Sequence, residues 1–371
     1  MFRGVLPRAI FLSILTALST FAQPSALLEE GDIVFVDAQS RAIVRWKPDG
    51  TLTEFTTIPI SGSGGTIAVD SKGAIFALMN RGGFDPAALI HRLNPETMQT
   101  EPITTGTMIR SAGRMIVSTD DSHLIVAGED RNFLRALFKV DITTGVQSVL
   151  TTNFHSRFMD LVPAVERPYL VARAEGGKIV VVDNAYGHVV EYNEEGTGRR
   201  LIKEMPYPFL PMGLAVGNGK IYMSGMNLAG KIFALDAATG ATNAVGDGSL
   251  LIYVGDIGFG RGGLLVNNPN TDTLVRVDLE TGAEQVVLDA YGAPRGIWEF
   301  APQIAAPRIG VARAASGFAI SWGDPDGVWK LQSSAKLGSE SAWGDVAAPE
   351  AGQRNVELSF EGASGFYRLV R

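Results

Sequence analysis

RVDLETG, residues 276–282, returns as KVDITTG at 139–145 and as ALDAATG at 234–240. An aspartate carboxylate can accept a hydrogen bond from the backbone two residues on, and the glycine accepts the left-handed conformation that a tight turn needs. The phrase therefore reads as a hairpin turn, and its return reads as one hairpin built several times. Aligned on Asp278, the counterpart positions are Lys47, Asn94, Asp141, Asn193 and Asp236. Subtraction gives steps of 47, 47, 52, 43 and 42 residues. Such a period points to a repeat architecture whose unit is a few short strands.

Each unit shows the same internal order. A short apolar run comes first, as in GTIAVD (65–70) and MGLAVG (212–217). A glycine-led strand follows, as in GKIVVVD (177–183) and GGLLVNN (262–268). A third strand ends in the anchor residue, as in TLVRVD (273–278), and a fourth follows the turn, as in AEQVVLD (283–289). Runs of this length, rich in Val and Ile and bounded by Gly, Asn and Asp, are strands. Six four-stranded units around an axis make an all-β fold, a six-bladed β-propeller, over residues 28–302. The first unit opens directly at GDIVFVD (31–37), which matches a second strand, while APRGIWEF (293–300) matches the missing innermost one. The C-terminal strand is therefore expected to complete blade one and close the ring, which removes open sheet edges. The long step of 52 residues places an insertion over 156–177 in blade four.

Residues 1–22 read as an export signal: Arg3 and Arg8, then the apolar run AIFLSILTALSTFA (9–22), with small residues at the cleavage positions. The run is short for a bilayer span, and no later stretch reaches the required length, so no integral span is expected after cleavage. The formal charge is −7, and losing two arginines and no acid takes it to −9. That balance argues against a nucleic-acid or anionic-membrane partner. There is no cysteine, which excludes disulfides, thiolate metal sites and a thiol nucleophile. An exported chain without cysteine fits the bacterial periplasm, cell surface or extracellular space, and a monomer is expected.

Residues 303–371 differ. APQIAAPR (301–308) reads as a linker, and short alternating strands follow, such as GFAISW and FYRLVR. Seven cationic and seven anionic side chains make this segment neutral. The expectation is a small antiparallel β-sandwich with an aromatic core. Its pattern resembles the C-terminal modules of many exported bacterial proteins. Trp322, Trp329 and Trp343 would form either that core or a carbohydrate platform.

LPMGLAVGNGKIYMSGMNLAGKIFALD (210–236) and VVDNAYGHVVEYN (181–193) resemble the NHL-type and gluconolactonase-like (SMP-30-like) six-bladed propellers. The likeness rests on Pro-x-Gly before an inner strand, Gly-Lys-Ile opening the second, and Asp or Asn after it. The gluconolactonase-like branch implies a divalent cation at the channel mouth, held by Glu, Asn and Asp from different inner strands. Calcium is the hard cation that such oxygens suit, and it could polarise a lactone carbonyl. Glu29 or Glu30 stands near the place of that glutamate. Pro211-Met212-Gly213 replaces the branch's Pro-Asp-Gly, and Ser111-Ala112-Gly113 replaces its Asn-Asp-Gly. A thioether and a methyl group supply no oxygen.

Loops joining second to third strands should share one face with the loops joining blades. The first set carries Asp37, Asn80, Asp130, Asp183, Asn184, Asn227 and Asn268, able to bind sugar hydroxyls or a cation, or to serve their own turns. The second carries Arg110, Arg157 and Arg295, which could meet an anionic ligand or pair with neighbouring acids. The four histidines show no metal-ligand spacing; His155, in a blade join, is the general-base candidate. The leading expectation is an exported binding or interaction scaffold for a small-molecule or carbohydrate ligand, or an envelope protein, at the channel mouth. The alternative is a divalent-metal-dependent hydrolase or lyase acting on a sugar-like or lactone substrate. A partner-binding subunit would instead show an exposed apolar patch.

Overall fold

The computed structural model describes residues 28, 31–37, 42–57, 65–79, 89–94, 97–104, 108–132, 135–152, 170–182, 188–205, 211–217, 219–225, 231–251, 254–260, 262–268, 271–289, 297–302, 309–313, 317–322, 330–334, 344–346, 355–359 and 366–370. All regular structure among them is β, and none of them lies in a helix long and apolar enough to cross a membrane.

Six four-stranded antiparallel sheets form the blades. Blade one is assembled from both ends of the propeller. Its innermost strand is Ile297–Pro302, followed outward by Ile33–Asp37, Ala42–Trp46 and Leu52–Thr57. The pairing sets Ile33 opposite Pro302 and Asp37 opposite Ile297. The other blades each run inner to outer in chain order. Their innermost strands are Gly65–Val69, Ile109–Val117, Leu170–Ala174, Pro211–Gly217 and Ile257–Gly260. Contacts between innermost strands pass from each blade to the next and from blade six back to blade one, so the ring is closed.

What holds the ring is legible in the second strands. Ile33–Asp37 is buried along its whole length. Val34 and Val36 pack against blade two, while Ile33 and Phe35 pack against Leu265 and Leu274 of blade six. Side chains alternate across a strand, so a strand between two neighbouring blades must be apolar on both faces. That requirement produces the unbroken hydrophobic runs of the second strands. Six such clusters occur, one at each blade junction. Outer strands are wetter: in Gln147–Thr151 and Glu284–Asp289 most residues are half-buried or exposed.

The repeated phrase is the turn between third and fourth strands. Asp278 Oδ1 accepts from the Glu280 N–H at 3.0 Å, from the Thr281 N–H at 2.8 Å and from the Thr281 hydroxyl at 2.9 Å. Asp141 and Asp236 make the same contacts with Thr144 and Thr239. The amide of Gly282 closes the turn onto the Asp278 carbonyl at 2.9 Å, with φ at +74°. The three carboxyls are held below their ordinary value of 3.8, first by the threonine amide and then by its hydroxyl. A carboxyl depressed in the folded state lends stability that is present above 3.8 and lost as pH falls through its native value. Replacing all three aspartates by asparagine should therefore flatten the loss of stability below pH 3.8. Urea midpoints measured at descending pH check this; an unchanged slope would show that the turns do not report on acid.

Beyond the propeller lie two three-stranded sheets. One orders Ile309–Arg313, Gly317–Trp322 and Asn355–Ser359; the other orders Gly344–Asp345, Lys330–Ser334 and Phe366–Val370. Ile320 and Leu331, one from each sheet, are buried. Trp329 and Trp343, and the side chain of Trp322, lie outside the described residues.

Candidate functional site

Antiparallel strands in a blade sort its loops between two faces. The anchor turns, together with the turns joining first and second strands, share one face. The loops joining second to third strands, and one blade to the next, share the other. Asp37, Arg110, Asp130 and Asn268 stand at strand ends on this second face. The remaining candidates, Glu29, Glu30, Asn80, His155, Arg157, Asp183, Asn184, Asn227 and Arg295, lie outside the described residues, as does most of the expected insertion in blade four.

The described candidates are engaged close to home. Arg110 donates to Glu129 Oε1 at 3.1 Å, and the same carboxylate stands 3.9 Å from Arg135 Nε. Arg110 thus belongs to an ion-paired group within blade three. Asp130 Oδ1 accepts from the Asn132 N–H at 2.8 Å, which is turn chemistry. Asn268 is fully buried and donates to the Leu250 carbonyl at 3.0 Å. Asp37 is buried as well, at the junction with blade six. Burial, and then the Asp37 charge, raise the Asp272 carboxyl above its ordinary value. Asp37 and Asn268 are therefore interior groups of the ring wall and not members of an open surface ring.

The most informative contact was not among the candidates. Arg114 sits on the innermost strand of blade three. Its Nη1 donates to Asp256 Oδ1 at 2.7 Å and to the Leu214 carbonyl at 2.9 Å, and Nη2 reaches the Ile257 carbonyl at 3.4 Å. Leu214 is on the innermost strand of blade five, and Asp256 and Ile257 open that of blade six. In a ring of six, blade six lies opposite blade three, so this side chain crosses the central channel. Both ends are shielded, with side-chain exposures of 12% for Arg114 and 7% for Asp256.

Local structure aims both partners. The register of Ile109–Val117 slips between Ala112 and Arg114, a β-bulge that re-aims the side chain after it. Asp256 is pinned where blade six begins. Its Oδ1 accepts from the Ile257 N–H at 2.8 Å, and its carbonyl accepts from the Asn267 N–H at 2.9 Å. The neighbouring Gly255 carbonyl accepts from the Ser224 hydroxyl of blade five at 2.5 Å. Gly213 lets the two blades approach, because a Cβ there would stand 2.6 Å from Ile257 N and 2.7 Å from Gly255 O.

The positions that align with the gluconolactonase-like ligands are also placed. Ala112 is buried in the core between blades two and three, and Met212 lies on the innermost strand of blade five beside Gly213. Among the described residues no three His, Cys, Asp or Glu side chains converge as a metal site. Charged residues inside inner strands were the signal that could have found Arg114. Its partner, 142 residues away, carries no motif.

No protein-family model matches the sequence, and no curated protein does. Among solved structures, the chain is similar to one described as the crystal structure of a nidogen/laminin complex. The TM-score is 0.55 at 14% identity, covering 72% of this chain and 97% of that one. At that identity the likeness speaks to fold alone, and it agrees with the architecture above: this chain is a six-bladed β-propeller scaffold.

Proposed function

We propose that this propeller is an exported binding scaffold, and that its ligand or partner docks on the face carrying the blade joins and the second-to-third strand loops. The observation that carries the reading is the Arg114–Asp256 pair. Arg114 and Asp256, at the centre of the ring, are spent on each other, across the channel, at 2.7 Å. Among the described residues, a substrate entering that channel meets this neutralised pair, and no three His, Asp or Glu side chains converge there. The replacement of two expected oxygen ligands by Met212 and Ala112 supports the same reading, because neither side chain can hold a hard cation. A ligand is then bound by the mouth and its loops, where Arg110 and Asp130 stand at the described edge.

The test is the melting temperature of the mature protein in excess calcium and in chelator. The two curves should superimpose. A cation held at a hundred times its dissociation constant would stabilise the fold by about 2.7 kcal/mol, an evident shift. A shift of that kind would overturn the metal-free reading and direct attention to lactone hydrolysis. With superimposed curves, an array of acidic and neutral glycans and envelope proteins follows. Binding should weaken on Arg110→Ala and stay unchanged on Thr239→Val, which alters a turn on the opposite face. The reverse pattern would put the docking surface on the wrong side of the ring.

A further inference from the structure

We infer that Leu214 O, Ile257 O and Asp256 Oδ1 form a cation site on the propeller axis, and that the chain fills it with its own guanidinium, that of Arg114. The three oxygens come from two blades and face one cationic group at 2.9, 3.4 and 2.7 Å. One carboxylate and two backbone carbonyls are the kind of oxygen set that gathers around a bound cation. Here the cation arrives on a side chain from a third blade, opposite the carboxylate.

The oxygens do not depend on the guanidinium for their positions. Leu214 is paired with Met223, and Ile257 with Val266, in the ladders of their own blades. Asp256 is held by the Ile257 amide at 2.8 Å and through its own carbonyl by Asn267 at 2.9 Å. Shortening Arg114 therefore leaves a preformed pocket of negative potential rather than a collapsed one. The ligand class is a small planar cation with several N–H donors, for which a guanidinium is the natural member. The bridge joins blades three, five and six through the centre, a connection that the neighbour-to-neighbour packing of the six junctions does not supply.

Chemical rescue tests this directly. Arg114→Ala should melt about 6 °C or more below the native protein, since removing one partner strands a buried charge. Methylguanidinium at millimolar concentration, well below denaturing levels, should return at least half of that shift. The same concentration of tetramethylammonium should not, and neither should move the native protein upward. An Arg114→Ala protein that melts with the native one, or that responds alike to both cations, would overturn the site. If Arg114→Ala does not accumulate in folded form, Arg114→Lys and Asp256→Asn are compared with their double variant. Both singles should melt below the native protein, and the double should lose less than the summed losses. Simple additivity would mean that the two residues do not act as one site. This inference does not lean on the binding reading: a calcium response of the native chain would sink that reading and leave the rescue result standing.

Discussion

A chain ended after residue 296 should lose the cooperative unfolding transition, whereas one ended after residue 305 should keep it. The difference is the strand Ile297–Pro302, the innermost member of blade one. Without it Ile33–Asp37 becomes an open edge, and the innermost strands of blades two and six lose the neighbour that joins them. An interrupted ring also exposes the two faces of the junctions on either side of blade one. Losses on this scale match the whole stability of an ordinary domain, about 5–15 kcal/mol. Urea unfolding followed by far-ultraviolet circular dichroism reads the result. A synthetic peptide of residues 293–302 should restore part of the transition to the shorter chain. Equal urea midpoints for the two truncations would refute closure by this strand.

The second large effect separates three copies of one turn. Gly145, Gly240 and Gly282 share a left-handed backbone, with φ at +70, +71 and +74°. Alanine at Gly240 or Gly282 meets no atom closer than 3.5 Å, so the cost is that of the left-handed conformation, about 1–2 kcal/mol. Alanine at Gly145 meets the Ile103 carbonyl oxygen at 1.6 Å and its carbon at 2.8 Å. Those are backbone atoms just past the outer strand of blade two, so the blades themselves must part. Gly145→Ala should cost more than about 4 kcal/mol, several times its sister substitutions. Three equal losses in urea midpoint would mean that the turn conformation alone, and not the junction between blades, sets the effect.

The propeller was legible because its signals are local. The turn phrase, the glycine opening the second strand and the matching half-units at the two ends each act over a few residues, and the structure returns them, except that in blade three Asp121, with φ at +58°, stands where the other blades have glycine. The channel was not legible for the opposite reason. Arg114 and Asp256 are 142 residues apart and meet only because the ring brings blade three across from blade six. A bulge between Ala112 and Arg114, invisible in a pattern of apolar and polar letters, decides where the guanidinium goes. Two of the candidate Asp and Asn residues at the ends of second strands are interior. Asp37 and Asn268 have the composition of loop residues, yet both lie buried in the ring wall. Composition reports what a side chain can bond to, and only the packing of neighbouring blades decides whether that partner is a ligand or the chain itself.

Ile33 and Pro302 stand opposite each other in blade one. Residue 302 ends a strand running toward the anchor-turn face, and residue 33 begins the strand that runs back from it. Both flanking segments of the chain therefore depart from one corner, on the side turned away from Arg110 and Asp130. A partner domain fused directly after Pro302 would therefore start out on the anchor-turn side of blade one, opposite the proposed docking face.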